Sequence, residues 1–350
     1  MAVRVRVPFA ALLILRLPMK RLTYLLFLSI MLVSCGESRG HFKIEGRFLH
    51  MNDGQLYVYS PDGVIDGMDT VTVQDGRFAL EVPCRGEGTL MIVFPNFSQQ
   101  PVFAESGGSV EIKADASHLR EMEIKGTKAN ELMTDFRKSV ANVSPPDEAK
   151  QAALFVGDHP ESPVSVFITG KYFVESSKPD LKQAAKLIAI MQKEQKDNGA
   201  LSRLKQQVDA MSKAAVGNSL PAFKATDVNG KTVTNADLNA PVAIVSVFAT
   251  WSYETMEAQR AIADAIDKDG SKVKALSISI DADKKVCLRS MDSNNITWPV
   301  VCDGAMIDGK LLKQLGLTTL PCNIILKNGR IVETGLNSST LRQRLMEMHL

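Results

Sequence analysis

The chain has 350 residues, of which 45% are hydrophobic and 23% charged, and its formal net charge is +2. That length suits two or three domains, and the composition is that of a folded globular protein rather than a disordered or fibrous one. So small a net charge, with no basic patch interleaved with aromatics, excludes nucleic acid as a partner.

At the N-terminus Lys20 and Arg21 precede an apolar stretch at 22–33, which closes in Leu32-Val33-Ser34-Cys35-Gly36. A basic start, a short apolar core and a small residue before the cut describe an export signal, too short to span a bilayer. The positions before Gly36 resemble a bacterial lipobox, which implies that Cys35 is acylated and becomes the mature N-terminus. The alternative is an unmodified cysteine in a noncleaved apolar helix. Acylation would hold the protein to the lipid bilayer of a bacterial cell envelope, facing the periplasm or the outside. Residues 1–18, with their own apolar run at 9–15, fit this signal badly, and Met19 is the better start. Residues 1–34 are therefore set apart from the fold.

From 35 to 128 the pattern is short alternating strands broken by turn residues. Strands are expected at 42–49, 55–59, 70–74, 77–82, 90–94 and 110–112. Asp75-Gly76 is a strong hairpin signal because its turn needs positive φ. This predicts a small all-β sandwich or barrel. The pieces Phe-Lys-Ile-Glu-Gly-Arg at 42–47, Asp-Thr-Val-Thr-Val-Gln-Asp-Gly-Arg-Phe at 69–78 and Ile-Lys-Gly-Thr at 124–127 carry a resemblance. They resemble an N-terminal β domain of unknown function found in lipoproteins with a thioredoxin-like C-terminus. No chemistry is visible in its residues; a spacer or an edge that recognises a partner are the two roles it suits.

Residues 129–214 form a helical connector. Apolar spacings of three and four predict helices at 162–174, 179–194 and 200–214, broken at Lys178-Pro179 and Asn198-Gly199.

The segment 215–350 alternates strands with helices. Strands are expected at 242–247, 273–280, 323–326 and 330–333, the last two joined by a turn at Asn328-Gly329. Helices are expected at 256–266, 284–292, 310–315 and 341–348. That order describes an α/β layer fold, and the whole chain is α+β multidomain.

Four cysteines follow the signal: Cys84, Cys287, Cys302 and Cys322. None forms a C-x-x-C pair, and no histidine stands near them at metal-ligand spacing, which argues against zinc. Disulfides persist outside the inner membrane, but spacing selects no pairing, and separate small core residues is the simplest reading.

Four pieces of the last segment resemble the thioredoxin-like superfamily, in the branch of thiol antioxidants and cytochrome-maturation thiol-disulfide oxidoreductases. They are Val-Gly-Asn-Ser-Leu-Pro-Ala-Phe at 216–223 with Asp-Val-Asn-Gly-Lys at 227–231, Val-Ser-Val-Phe-Ala-Thr-Trp-Ser-Tyr-Glu-Thr at 245–255, Trp-Pro-Val-Val-Cys-Asp-Gly at 298–304, and the run from Leu315 to Val332. The resemblance implies a cis bond at Pro321 facing the loop at 251–255. It also implies a groove bordered by Trp251, Tyr253, Leu320 and Pro321, where an extended partner segment adds to the backbone without needing sulfur.

The departure lies at the chemistry. Where that branch has two cysteines after a tryptophan, this chain has Ser252 and Thr255. A hydroxyl cannot cycle between dithiol and disulfide, which takes an attacking thiolate and a second sulfur. Ser252 is instead suited to cap a helix, and the lone histidine of the segment, His349, stands at the chain end, away from any serine it could activate. Cys322, directly after Pro321, is the candidate thiol near the old active site; the alternative is a small apolar residue packed on a strand. Glu254 suits the first turn of a helix. These features describe an envelope-anchored, non-catalytic binding or scaffold relative of the thiol-disulfide oxidoreductases, with an envelope protein or peptide as partner and no cofactor or metal. The alternative is an atypical thiol-disulfide oxidoreductase or peroxidase working through a single cysteine such as Cys322.

Overall fold

The computed structural model describes residues 40–176, 178–317 and 320–348. The signal segment with Cys35, the pair Thr318-Thr319 and His349 lie outside the described residues. Two compact units divide the chain, one ending at Glu131 and the other beginning at Leu132.

The first unit is built from β1 (His41–Leu49), β2 (Gly54–Tyr59), β3 (Met68–Val73), β4 (Arg77–Pro83), β5 (Glu87–Val93), β6 (Gln99–Glu105), β7 (Ser109–Asp115) and β8 (Glu123–Lys125). They form two four-stranded sheets, ordered β4-β1-β7-β8 and β3-β2-β5-β6. Alternate residues such as Phe42, Ile44 and Phe48 from one sheet and Leu56, Val58 and Leu90 from the other share a single apolar core. The unit is thus a sandwich, and period-two alternation is what buries one face of each sheet. Gly46 interrupts the inward row of β1 because the ring of Phe78, opposite it on β4, occupies the space a Cβ would need. At the β3–β4 hairpin Asp75 and Gly76 have φ of 48° and 73°, as the Asp-Gly signal required.

The sequence pattern gave no strand at 99–105, because Pro101 breaks it. The structure explains the exception: β6 lies at the end of its sheet, where a missing N–H does not interrupt a ladder. Its outer edge is covered by a side chain. The Asn130 carboxamide accepts from the Phe103 N–H at 3.0 Å and donates to the Phe103 carbonyl at 2.7 Å, taking the place of a neighbouring strand.

Helix α1 (Lys128–Val140) crosses the boundary between the units. The second unit continues with α2 (Pro145–Asp158), α3 (Pro163–Thr169), α4 (Leu181–Glu194) and α5 (Gly199–Lys213). Ser162, Asp180 and Asn198 cap α3, α4 and α5 by accepting backbone N–H bonds. The helix expected over 162–174 ends its α-helical part at Thr169 and continues as a π turn, Gly170–Val174.

Next come β9 (Lys224–Thr226), β10 (Thr232–Thr234), β11 (Val242–Phe248), α6 (Tyr253–Asp269), β12 (Val273–Ser279), α7 (Lys284–Ser293), β13 (Val300–Val301), α8 (Lys310–Leu315), β14 (Cys322–Lys327), β15 (Arg330–Leu336) and α9 (Ser338–Glu347). A five-stranded sheet runs β13-β12-β11-β14-β15, with β11, β12 and β13 parallel and β14 and β15 antiparallel to their neighbours. Strand β11 is buried along its whole length, as a central strand covered on both faces must be. Ile244 and Phe248 face the side that packs α6, α7 and α9, while Val245 and Val247 face the side that packs α8. The turn between β14 and β15 uses Asn328 and Gly329 at φ of 49° and 76°. Gly316 ends α8 at φ 66°, and a Cβ there would strike the backbone of Ala210 and Met211 in α5. Left-handed backbone and close approach both call for glycine at that point.

Candidate functional site

Strand β11 ends at Phe248, and the chain passes through Ala249, Thr250 and Trp251 before α6 begins at Tyr253. Ser252 is the N-cap of α6. Its extended backbone (φ −103°, ψ 108°) lets its hydroxyl accept from the Thr255 N–H at 3.5 Å, while its carbonyl accepts from Met256 N–H at 3.1 Å. The cap expected of Ser252 is therefore present, and Glu254 lies in the first helical turn, where a negative charge suits the dipole. No histidine stands among the described residues from 215 onward, so nothing there could act on Ser252 as a histidine base does.

Thr255 is fully buried. Its hydroxyl accepts from the Ala249 N–H at 3.1 Å, and its proton is shared between the carbonyls of Ala249 and Ser252, each at 3.0 Å. Thr255 is thus a clamp that closes the loop on the helix it starts.

A second fastening was not visible in the sequence. Asp281, buried just past β12, accepts from the Thr250 N–H at 3.1 Å, the Thr250 hydroxyl at 2.8 Å and the Ser279 hydroxyl at 2.7 Å. An aspartate at a strand end with no basic neighbour in sequence was the one available signal. Held from both sides, the loop presents Trp251, 67% exposed, and Tyr253, 75% exposed. The Arg260 guanidinium lies 5.9 Å from the Tyr253 ring centroid, within cation–π range.

The Leu320–Pro321 bond is cis. Both residues are half-buried, and Leu320 packs against the core on the α8 face of the sheet. Cys322 is 7% exposed and sits opposite Val247 of β11, in that same core with Leu317 and Ile324. Every α6 side chain in an apolar core belongs to the opposite face. Strand alternation therefore turns the Cys322 side chain to the face of the sheet opposite the one that α6 covers.

The other thiols are free and lie in or against the apolar cores. Cys287, in the first turns of α7, is buried in the apolar layer against which Cys302, just past β13, also packs. Cys302 is half-buried and donates to the Asp281 carbonyl at 3.5 Å. Cys84, in the first unit, donates to the Gly86 carbonyl at 3.0 Å; burial, the largest influence, raises its thiol pKa. These four cysteines form no disulfide among the described residues. Nor is any group of three or more His, Cys, Asp or Glu side chains among the described residues placed to hold a metal ion.

Beneath the loop, α6 is anchored to the sheet by a buried chain of hydrogen bonds. The Trp298 indole donates to Ser277 (2.8 Å) and Ser277 to Gln259 (2.6 Å). Gln259 donates to Ser246 (2.8 Å), Ser246 to Asn323 (2.6 Å), and Asn323 to the Leu336 carbonyl (2.7 Å). Each donor in this line has one acceptor, so the polar groups of a fully buried layer are satisfied.

Residues 42–133 match a domain of unknown function, DUF4369, and residues 216–334 match the AhpC/TSA family. No curated protein matches the chain. Among solved structures, a thiol-disulfide oxidoreductase from Bacteroides fragilis is 23% identical, with a TM-score of 0.34, covering 37% of this chain and 99% of that one. The thioredoxin domain of a thiol-disulfide oxidoreductase from Bacteroides vulgatus is 15% identical, with a TM-score of 0.34, covering 38% of this chain and 97% of the other. A thioredoxin-like protein from Bacteroides caccae is 15% identical, with a TM-score of 0.43, covering 61% of this chain and 88% of the other. These likenesses carry no activity over to this chain.

Proposed function

We propose that this thioredoxin-like domain, matching the AhpC/TSA family at 216–334, is a docking module whose loop at 251–255 receives an extended segment of an envelope protein without exchanging electrons. The observation that carries the reading is the Thr255 hydroxyl, which is buried and engaged wholly with backbone groups of its own loop. The loop is thereby a fixed platform, with Trp251 and Tyr253 displayed to solvent beside it. Exposed aromatics on a rigid support contribute contact area at low entropic cost, as binding surfaces require. Burial of Cys322 on the far face of the sheet speaks against one-cysteine exchange at this point.

The test offers insulin disulfides to the full chain with a reductant. The expected result is no turnover above the reductant alone. Robust turnover that Cys322→Ser abolishes would replace docking with a single-cysteine oxidoreductase.

The same proposal places the chain on an envelope membrane through acylated Cys35, a reading supported by the sequence from Lys20 to Gly36. Expressed in a bacterium fed labelled palmitate, the protein is expected to take up label and to lose it in Cys35→Ala. An unlabelled, freely soluble wild-type protein would contradict the anchor.

A further inference from the structure

Strands β11, β12 and β13 are parallel, so their C-terminal ends lie on one rim of the sheet. The Ile280 N–H donates to the Phe248 carbonyl at 2.9 Å, which fixes the end of β12 beside the start of the 249–255 loop. Two cysteines converge on that rim. Val301 pairs with Ile278, which sets Cys302 alongside Ser279. Asp283 caps α7 and its carbonyl receives the Cys287 N–H at 3.2 Å, which places Cys287 one turn into the helix. Cys287 is fully buried in the apolar layer beneath α6, and Cys302 packs against the same layer while remaining partly open to solvent.

We propose that Cys287 and Cys302 are a second dithiol site, unrelated to the positions of Ser252 and Thr255, which closes to a disulfide by exchange with a small disulfide compound. It goes beyond docking at 251–255 and stands or falls separately. The half-exposed Cys302 is the sulfur a reagent meets. As a thiolate it attacks one sulfur of RSSR, forming Cys302–S–S–R and releasing RS⁻, which takes up the proton Cys302 gave. Cys287, deprotonated in turn, attacks the Cys302 sulfur; the Cys287–Cys302 bond forms, and a second RS⁻ leaves and is protonated. Two electrons pass from the protein thiols to RSSR, which ends as two RSH.

Burial pushes the Cys287 thiol up to about 12; a hydrogen bond with Ser279 opposes this, and Cys302 and Asp281 add to it. Cys287 is thereby silent toward solvent reagents and reacts only with the sulfur beside it. The disulfide would also remove the thiol donor that Cys302 supplies to the Asp281 carbonyl, on the residue that fastens Thr250.

The experiment treats the folded full chain with 2-hydroxyethyl disulfide, blocks remaining thiols with iodoacetamide, and maps tryptic peptides without reduction. Cleavage after Lys285, Arg289 and Lys310 puts the two cysteines on separate peptides. The expected product is the peptide Val286-Cys287-Leu288-Arg289 linked to the peptide containing Cys302, with the link lost on reduction. In Cys287→Ser the reaction is expected to stop at the hydroxyethyl adduct on Cys302. A wild-type protein that yields only that adduct, no modification at all, or the link only after urea unfolding overturns the proposal. The wild-type map alone decides, should the variant fail to fold.

Discussion

The Gln259 side chain bridges two strands. Its carbonyl oxygen accepts from Ser277 of β12 at 2.6 Å, and its amide donates to Ser246 of β11 at 2.8 Å. Gln259 stands two helical turns after the Ser252 cap, so this bridge seats α6, and with it the loop, on the sheet. Replacing it with leucine keeps the volume but leaves the Ser277 hydroxyl without an acceptor and Ser246 without a donor. Gln259→Leu is expected to cost about 3 kcal/mol in urea unfolding, since each buried polar group so stranded costs roughly 1–3 kcal/mol. A loss of about 0.5 kcal/mol or less, the scale of a surface change, would show that the chain of bonds does not hold the helix.

Ser252 and Thr255 separate by their bonding. Ser252→Ala removes a cap made at the limit of hydrogen-bond distance, 3.5 Å, and is expected to cost about 1 kcal/mol or less. Thr255→Val leaves the buried Ala249 N–H without its acceptor and takes one donor from the Ala249 and Ser252 carbonyls, and is expected to cost about 2 kcal/mol. Denaturant midpoints of the two variants check the order; the reverse order would contradict the clamp assigned to Thr255.

Closure of the Cys287–Cys302 disulfide has a defined pH dependence. The Cys287 pKa is raised to about 12, so far below that value each pH unit upward multiplies its thiolate about tenfold. The groups facing it are Ser279, Cys302 and Asp281. Starting from the Cys302 adduct, the closing rate is expected to climb about tenfold per unit between pH 7 and 9. Stopped samples separated by mass spectrometry give that rate, and a pH-independent rate would contradict a buried, protonated Cys287.

In the β sandwich, the His50 imidazole beside Asp115, helped by the Ser117 N–H, lowers the Asp115 pKa to about 2. A carboxylate with a lowered folded pKa supports the fold above its unfolded value, near 3.8, and loses that support as pH falls toward 2. His50→Ala is expected to raise the Asp115 pKa toward 3.8, as read by carboxyl NMR titration. An unmoved titration would show that Ser117 alone sets it.

Much of the framework was legible because local chemistry dictates it. Asp75-Gly76 and Asn328-Gly329 marked their turns, since few residues accept positive φ, and the uninterrupted apolar run at 242–247 marked a strand covered on both faces. Pro101 hid β6, because sequence does not say which strand stands at an edge. The role of Gln259 was not legible, because its partners are two serines on strands distant in sequence. That Cys287 and Cys302 share one apolar layer is a result of tertiary packing, which spacing does not encode. For Cys322 the sequence left two roles open, because being next to Pro321 says nothing about which face of β14 its side chain takes; the structure packs it in the core.

Docking at the loop is tested most directly by the emission of Trp251. The chain has two tryptophans, and Trp298 is buried with its indole bonded to Ser277, so Trp251 reports on the solvent-facing loop. The titrant is reduced, carboxymethylated ribonuclease A, an unfolded chain with neither thiol nor tryptophan. The account predicts a saturable blue shift, with affinity lowered about tenfold in Tyr253→Ala, the effect of losing roughly 1.4 kcal/mol. Emission that never saturates, or a curve identical in Tyr253→Ala, would contradict it.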